Sequence, residues 1–195
     1  MKPLVLASAS PQRRQLLEAL GVPSIIDPSS FSEEECTESD PVARAVSLAC
    51  SKAEQVRVRH PDAFVLGCDT LVVAHNGMML EKPRDASQAL SMLRQQRGCV
   101  STVHSALCLL APGDGAFHGV STSAVHFAPL SDAQCDWWIR TGLWRDRSGG
   151  FQIDGRGQFL IERLEGDWSS VVGLPVYLLG QLLSQAGIPL ETLPC

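Results

Sequence analysis

Along this chain, short unbroken apolar runs alternate with apolar residues spaced three and four apart, and each change of period marks a new element. Residues 3–8 carry the apolar run Leu4-Val5-Leu6-Ala7 and read as a buried strand. Leu16, Leu17 and Leu20 then repeat with helical spacing, so residues 10–20 read as a helix. Ser10 is its N-cap, Pro11 takes the first helical position, and Gly21 stops it. Residues 22–39 read as a polar, acidic loop containing Glu33-Glu34-Glu35. A second helix opens at Asp40-Pro41 and runs to about Arg59, with Val42, Ala45, Val46, Ala49 and Ala53 on one face. After the break at His60-Pro61-Asp62, the apolar run Phe64–Ala74 predicts a long strand that Asp69-Thr70 interrupts. Asn76-Gly77 is a hairpin signal, and Met78–Leu80 return as a strand.

Asp85 caps a helix to about Arg97. Residues 100–111 and 117–128 are β-rich and flank Pro112-Gly113-Asp114-Gly115, a second hairpin. Ser131 caps a helix to about Thr141. A loop follows over 142–157, then a strand at Phe159–Leu164, a loop over 166–172, and a last helix from Leu174-Pro175 to about Ala186. The tail from Gly187 reads as loosely attached. Strands and helices mix, and two hairpins break strict alternation. The expected fold is therefore α/β, with a mixed central β-sheet flanked by helices.

At 195 residues the chain fits one domain, or one domain with two lobes. A net charge of −5 argues against a general nucleic-acid binder, which needs a basic face. No apolar run is long enough to span a bilayer, and the start of the chain does not read as a secretory signal, so the cytoplasm is the expected compartment. Seven cysteines include no C-x-x-C pair. They read as buried free thiols rather than a zinc site or a disulfide framework. Cys68 adjoins Asp69, but strand alternation turns the two apart and no His lies near in sequence, so Cys68 is not read as a nucleophile.

Candidate chemistry begins at the first helix. Its start offers free backbone N–H groups and the positive end of the dipole, and Arg13 adds a cation one turn in. This is a seat for an anion such as phosphate, although the same strand–turn–helix opens many α/β domains that hold none. Asp69 is costly in an apolar run unless it is paired or bound to a cation. It has the chemistry to ligate Mg²⁺ or to accept a proton from water. Glu33 is a second carboxylate, in a run that reads equally as solvated surface. The chain has only Lys2, Lys52 and Lys82 against thirteen arginines. Lysine is a compact point charge suited to a phosphate oxygen, and Pro83 fixes the direction of Lys82. The loop Arg145-Asp146-Arg147-Ser148-Gly149-Gly150 reads as a flexible cationic flap or as an exposed turn. Cations, carboxylates and an anion seat together form a set suited to phosphoryl chemistry on a nucleotide. No Walker A or G-x-G-x-x-G pattern is present. A nucleotidyltransferase loop needs glycines, which Ser8-Ala9-Ser10 does not supply.

Six blocks in order resemble the Maf family of nucleotide pyrophosphatases. They are Leu6-Ala-Ser-Ala-Ser-Pro-Gln-Arg-Arg-Gln-Leu-Leu17 with Glu33; Leu48-Ala49 with Lys52-Ala53; Gly67-Cys-Asp-Thr-Leu-Val72; Leu80-Glu-Lys-Pro83; Ser148-Gly-Gly-Phe-Gln-Ile-Asp-Gly155; and Val171-Val-Gly-Leu-Pro175. The resemblance spans nearly the whole chain and implies a single domain over residues 1–195. Its fold is elongated and two-lobed, related to inosine triphosphatases, with a cleft between the lobes, and is often dimeric. It implies hydrolysis of nucleoside triphosphates between the α and β phosphates, with a divalent metal (Mg²⁺ or Mn²⁺), as house-cleaning of modified or excess nucleotides. Asp69 would be the proton acceptor, Arg13, Lys52 and Lys82 would hold phosphates, Ser8 and Ser10 would line the phosphate seat, and Glu33 and Asp69 would place the metal.

This chain also departs from the family pattern. Gln12 stands where Arg is usual, and Ser101 and Ser105 stand where His and Thr are usual. In the later block, Arg147 replaces Lys, Phe151 replaces Tyr and Asp154 replaces Gln, relative to the subgroup linked to dTTP and UTP. Asp69-Thr70 follows that subgroup, which makes dTTP and UTP the first expectation. Phe151 and Asp154 partly echo the subgroup linked to 7-methyl-GTP. Asp154, as a substrate contact, lacks the donor half of an amide, which shifts the expected range towards bases presenting an N–H. The reading from another class is a non-catalytic nucleotide-binding regulator of cell division.

Overall fold

The computed structural model describes residues 4–192. Pro3, expected at the start of the first strand, and the last tail positions, Cys195 included, lie outside the described residues. Strand β1 (Leu4–Leu6) leads through Ser8-Ala9-Ser10 into helix α1 (Pro11–Ala19). The Ser10 hydroxyl accepts from the Arg13 backbone N–H at 3.5 Å, which is the capping bond expected of that residue. Next come strand β2 (Ser24–Ile26), a 3₁₀ turn at Glu33–Glu35, helix α2 (Pro41–Arg57), strand β3 (Phe64–Val73) and strand β4 (Met79–Leu80). Helix α3 (Ala86–Gln96) precedes the long strands β5 (Val100–Leu110) and β6 (Ala116–Phe127). Helix α4 (Asp132–Thr141) carries a capping box between Ser131 and Gln134 and ends at Gly142, whose φ of 70° is the left-handed stop that glycine adopts at little cost. Strand β7 (Ile161–Glu165), helix α5 (Trp168–Val172) and helix α6 (Val176–Gln185) complete the chain.

The strands form one seven-stranded sheet flanked by helices, in the order β2-β1-β3-β5-β6-β7, with β4 paired to β3. β1 runs parallel to both β2 and β3, whereas β3–β4 and β6–β7 are antiparallel. The sheet is mixed, as the two hairpins predict.

The structure corrects the sequence reading in four places. The acidic segment 22–39 contains β2, a three-residue strand too short to display a period. Residues 155–160 form 3₁₀ turns, so the last strand begins at Ile161 rather than Phe159. Helix α5 occupies a segment that reads as loop. The described part of the tail is attached: Ile188 is buried in a core cluster and donates its N–H to Leu183 O at 2.9 Å.

The chain divides into two compact units. The first comprises Met1–Asp69, Ser105–Ser121 and Gly173–Cys195. Its core packs Leu4, Leu6, Leu17, Leu66, Leu107 and Leu182 with their neighbours. The second comprises Thr70–His104 and Thr122–Val172, around Leu93, Val125, Phe127, Trp138 and Phe151. Among the described residues, no helix is long and apolar enough to cross a membrane.

Candidate active site

The first unit brings together six residues singled out in the sequence: Ser8, Ser10, Arg13, Glu33, Lys52 and Asp69. Asp69 lies within β3 and is 4% exposed. Its Oδ1 accepts from Lys52 Nζ at 2.6 Å. The same ammonium donates to Glu33 Oε1 at 2.7 Å. One lysine thus joins two carboxylates that are 36 residues apart in sequence, counting from 33 to 69.

Lys52 reaches Asp69 because α2 lies against β3 at Gly67. A Cβ on Gly67 would stand 2.0 Å from the Ala49 carbonyl oxygen and 2.9 Å from Ala53 Cβ. Only a residue without a side chain admits the helix this closely. Ala45, Ala49 and Ala53 supply the small face that makes the approach.

Arg13 is fixed at three points. Its Nε donates to Gly173 O at 2.9 Å, and its Nη1 donates to Ser8 Oγ at 2.9 Å and to Cys68 O at 3.0 Å. Ser8 Oγ also accepts from the Ser10 N–H at 3.2 Å. Ser8 is therefore a buried hinge between the loop and the guanidinium. Gln12 Oε1 accepts from Ser10 Oγ at 3.1 Å, so it serves the cap rather than extending a second cation.

Burial pushes the Asp69 carboxyl above its ordinary range. The Lys52 ammonium opposes this through its charge and its hydrogen bond, as does the Arg13 guanidinium, while Glu33 adds to the rise. Asp69 Oδ2 is buried without a hydrogen-bond partner. Burial also raises the neighbouring Cys68 thiol to about 11, which leaves it protonated and a poor nucleophile, in line with its reading as a structural cysteine.

The residues fit a hard divalent cation of a particular kind. Among the described residues, no group of three or more His, Cys, Asp and Glu is placed to hold a metal. The orphaned Asp69 oxygen and the Glu33 carboxylate are two oxygen donors, which suits Mg²⁺ or Mn²⁺ shared with phosphate oxygens and water rather than caged by protein.

Lys82, Arg147 and Asp154 belong to the second unit. Lys82 is exposed, followed by the buried Pro83. Asp154 is half-buried and makes no side-chain cap to the 3₁₀ turns after it. Burial lowers the Arg147 guanidinium, against the opposing charges of Asp154 and Asp146, and its Nε is buried without a hydrogen-bond partner.

The expected flap is tied down. Gly149 and Gly150 are buried at φ of 71° and 68°. Gly149 N–H donates to Glu81 O at 3.1 Å, Gln96 Nε2 donates to Gly149 O at 2.8 Å, and Trp138 Nε1 donates to Gly150 O at 2.9 Å. Phe151 is a core residue, 4% exposed and edge-on to Phe127 with ring centroids 4.9 Å apart. Ser101 and Ser105 are buried, and Ser101 Oγ donates to Gln96 Oε1 at 3.2 Å. Sequence reasoning missed Gln96 because a glutamine on an amphipathic helix reads as solvated. It also missed the Cys68 and Gly173 carbonyls that hold Arg13, because backbone acceptors leave no mark in side-chain pattern.

A family model described as Maf-like protein matches residues 3–186. The dTTP/UTP pyrophosphatase of Deinococcus radiodurans is 42% identical over 185 residues, covering 95% of this chain and 93% of its own. The dTTP/UTP pyrophosphatase of Pyrococcus furiosus is 38% identical over 183 residues, covering 94% and 95%. A solved HAM1 protein from Coxiella burnetii is 18% identical, with a TM-score of 0.43 over 67% of this chain and 75% of that one, a likeness too distant to bear on the chemistry. The family match takes in both units, from the Ser8–Arg13 seat through Lys52 and Asp69 to Asp154, and it establishes that this chain belongs to the Maf-like protein family.

Proposed function

We propose that this chain is a nucleoside triphosphate pyrophosphatase. It hydrolyses its substrate between the α and β phosphates, yielding a nucleoside monophosphate and pyrophosphate, with dTTP and UTP as first substrates. The observation that carries the reading is Asp69: a buried carboxylate with one oxygen held by Lys52 and the other without a partner. The names of the relatives that align over nearly the full chain support the same reaction.

In this reading the partnerless Asp69 oxygen accepts the proton of the attacking water. Its raised proton affinity makes it a stronger base than an exposed aspartate, and the Lys52 ammonium favours its ionised form against burial. Arg13, preset by Ser8, Cys68 and Gly173, offers a fixed guanidinium to the phosphates, so little side-chain entropy is lost on binding. Ser10 holds the helix start as part of the phosphate seat. Lys82 supplies a further phosphate cation, and Asp154 contacts the base. A divalent metal, Mg²⁺ or Mn²⁺, would be held by Asp69 and Glu33 and would neutralise phosphate charge. We take residues 1–195 as one catalytic domain, acting in the cytoplasm as a homodimer and without nucleic-acid partners. Phe151, which echoes the 7-methyl-GTP subgroup, lies in the core, so dTTP and UTP stay first.

The test is a panel of dTTP, UTP, CTP and 7-methyl-GTP with Mg²⁺ or Mn²⁺, read for pyrophosphate. Pyrophosphate from dTTP and UTP supports the proposal. Orthophosphate as the product rejects cleavage between the α and β phosphates. Tight binding with no product under either metal supports a regulator instead.

A further inference from the structure

Glu33 stands on a segment that has little packing of its own to hold it. The 3₁₀ turn Glu33–Glu35 buries no residue, and Ser32 gives it no side-chain cap. Two backbone bonds close the turn, from Glu35 N–H to Ser32 O at 3.1 Å and from Cys36 N–H to Glu33 O at 3.3 Å. The fastening comes from α2. Arg44 Nη2 donates to Glu33 O at 3.1 Å, and Arg44 Nη1 donates to Cys36 O at 2.6 Å and to Glu38 O at 3.4 Å. At the other end, Gln55 Oε1 accepts from Ser29 Oγ at 2.6 Å, from Ser30 N–H at 2.7 Å and from Ser30 Oγ at 3.3 Å.

Arg44, Lys52 and Gln55 form one stripe of α2. At 3.6 residues per turn, Lys52 and Gln55 lie about 80° and about 20° around the helix from Arg44, and the stripe is about 16 Å long. Residues 29–38 run along it in the opposite direction. Ser29 and Ser30 meet Gln55, the Glu33 side chain meets Lys52, and the carbonyls of Glu33, Cys36 and Glu38 meet Arg44. Lys52 thus holds the side chain of Glu33, and Arg44 holds its main chain. A guanidinium is a planar, pre-organised fork, so one arginine sets three carbonyls at once. All of these residues belong to the first unit.

We infer that Arg44 and Gln55 are positioning residues for the Glu33 carboxylate, fastening residues 29–38 along α2 so that Glu33 is preset to bind a divalent cation. The inference rests on the proposed function only in assigning Glu33 to the metal. Its sign sets positioning apart from charge. Arg44 is a cation, so by Coulomb's law alone its removal favours a metal ion nearby. Loss of positioning does the reverse. A carboxylate that samples many places binds metal only for the fraction of time it is in place, and the apparent affinity falls by that fraction. Groups that orient a metal ligand typically change metal affinity by about 10- to 100-fold when removed.

Mn²⁺ binding to the full chain, followed through the paramagnetic resonance signal of the free ion, tests this without turnover. Arg44→Met keeps the aliphatic stem and should weaken Mn²⁺ binding by about tenfold, and Glu33→Gln by about as much. The double variant should lose about tenfold and not about a hundredfold, because Arg44 acts through Glu33. Arg57→Met removes a cation of the same helix, one that donates to Gly113 O, and should not weaken Mn²⁺. In the metal-free chain, amide exchange at Glu35 and Cys36 should speed up in Arg44→Met. Circular dichroism checks folding; if Arg44→Met does not fold, Gln55→Leu should weaken Mn²⁺ in the same direction and carries the same double variant with Glu33→Gln. A wild type that binds no Mn²⁺, unchanged or tighter binding or unchanged exchange in Arg44→Met, or a hundredfold loss in the double variant overturns the inference. A wild type that binds Mn²⁺ but releases no pyrophosphate from any nucleotide rejects the proposed function, and the Mn²⁺ comparison still decides the positioning role.

Discussion

Lys52 Nζ lies 2.6 Å from Asp69 Oδ1 and 2.7 Å from Glu33 Oε1, and only 13% of the lysine side chain is exposed. The ammonium is thus the shared counter-charge of a buried carboxylate and a half-exposed one. Opening such a buried pair from one side leaves a charge without compensation, at a typical cost of about 3–5 kcal/mol. Asp69 has a way to avoid part of that cost, which is to take up a proton. Lys52 therefore bears on both the stability of the site and the protonation of Asp69.

Lys52→Met tests both effects. Without the ammonium, burial and Glu33 both push the Asp69 carboxyl further up. The acid limb of the pH–rate profile should move to higher pH, and turnover at neutral pH should fall by about 100-fold. The stability loss at pH 7, about 3 kcal/mol, should shrink as the pH is lowered and Asp69 protonates. Lys52→Arg keeps the charge and should keep most of the acid limb in place. An unmoved limb in Lys52→Met removes Lys52 from any role in setting the base.

Asp69→Asn separates catalysis from stability. Turnover should fall by about 10²- to 10⁴-fold, the range for losing a general base. The folded Asp69 binds its proton more tightly than the ordinary value of 3.8. Between 3.8 and the raised value, the folded chain holds more protons than the unfolded one, so stability falls as pH rises. The favourable contribution is complete below 3.8 and is lost as pH climbs through the folded value. Asparagine does not titrate. In paired urea titrations the wild type should lose ground to Asp69→Asn as pH rises from about 4, whatever the offset between the two at the start. A difference that grows in favour of wild type over that range contradicts the assigned direction.

Much of this was legible from the chain, for reasons that differ by residue. Ser10-Pro11 and Asp40-Pro41 announce helix starts because caps and first-turn prolines are local chemistry. Asp69 stands out because a charge inside an apolar strand needs a reason. The partnership of Asp69 with Lys52 is not legible in the same way. It depends on Gly67 admitting α2 to β3, a contact between segments whose spacing carries no period. Glu33 looks like surface until Lys52 reaches it. β2 is invisible because three residues cannot show alternation, and its parallel pairing with β1 is a long-range choice. The supposed flap misleads because its composition is that of an exposed turn, while its carbonyls are gripped by Gln96 and Trp138.

Asp27 offers the opposite pH dependence in the same unit. It follows β2 and accepts from Arg59 Nε and Nη2 at 2.9 Å each, and it lies 2.7 Å from His60 Nε2. The Arg59 hydrogen bond, then that of His60, lowers its carboxyl from 3.8 to about 2. Here the unfolded chain holds more protons between those values. The stabilising contribution is present above 3.8 and is lost as pH falls through about 2. The gap in urea midpoint between wild type and Asp27→Asn should be full at pH 5 and should narrow steadily towards pH 2. A gap that stays constant across that window assigns the pair no part in acid stability.

Gln96 is fully buried, and its side chain is bonded within the protein: Nε2 donates to Met92 O and Gly149 O, and Oε1 accepts from Ser101 Oγ. Gln96→Leu keeps much of the volume but removes both roles. It leaves the Gly149 carbonyl and the Ser101 hydroxyl to find new partners in a dry site. Each unsatisfied group costs about 1–3 kcal/mol, so a loss of about 2–4 kcal/mol is expected. The consequence should be local as well as global, because Gly149 adjoins two tryptic sites, Arg145 and Arg147. Limited trypsin digestion should cut after these arginines about tenfold faster in the variant, as local opening becomes easier by more than 1 kcal/mol. Trp138→Phe, which removes the donor to Gly150 O, should accelerate the same cuts. If both variants lose stability but the cleavage pattern does not change, then the grip on Gly149 and Gly150 serves the core of the second unit and not the order of the loop.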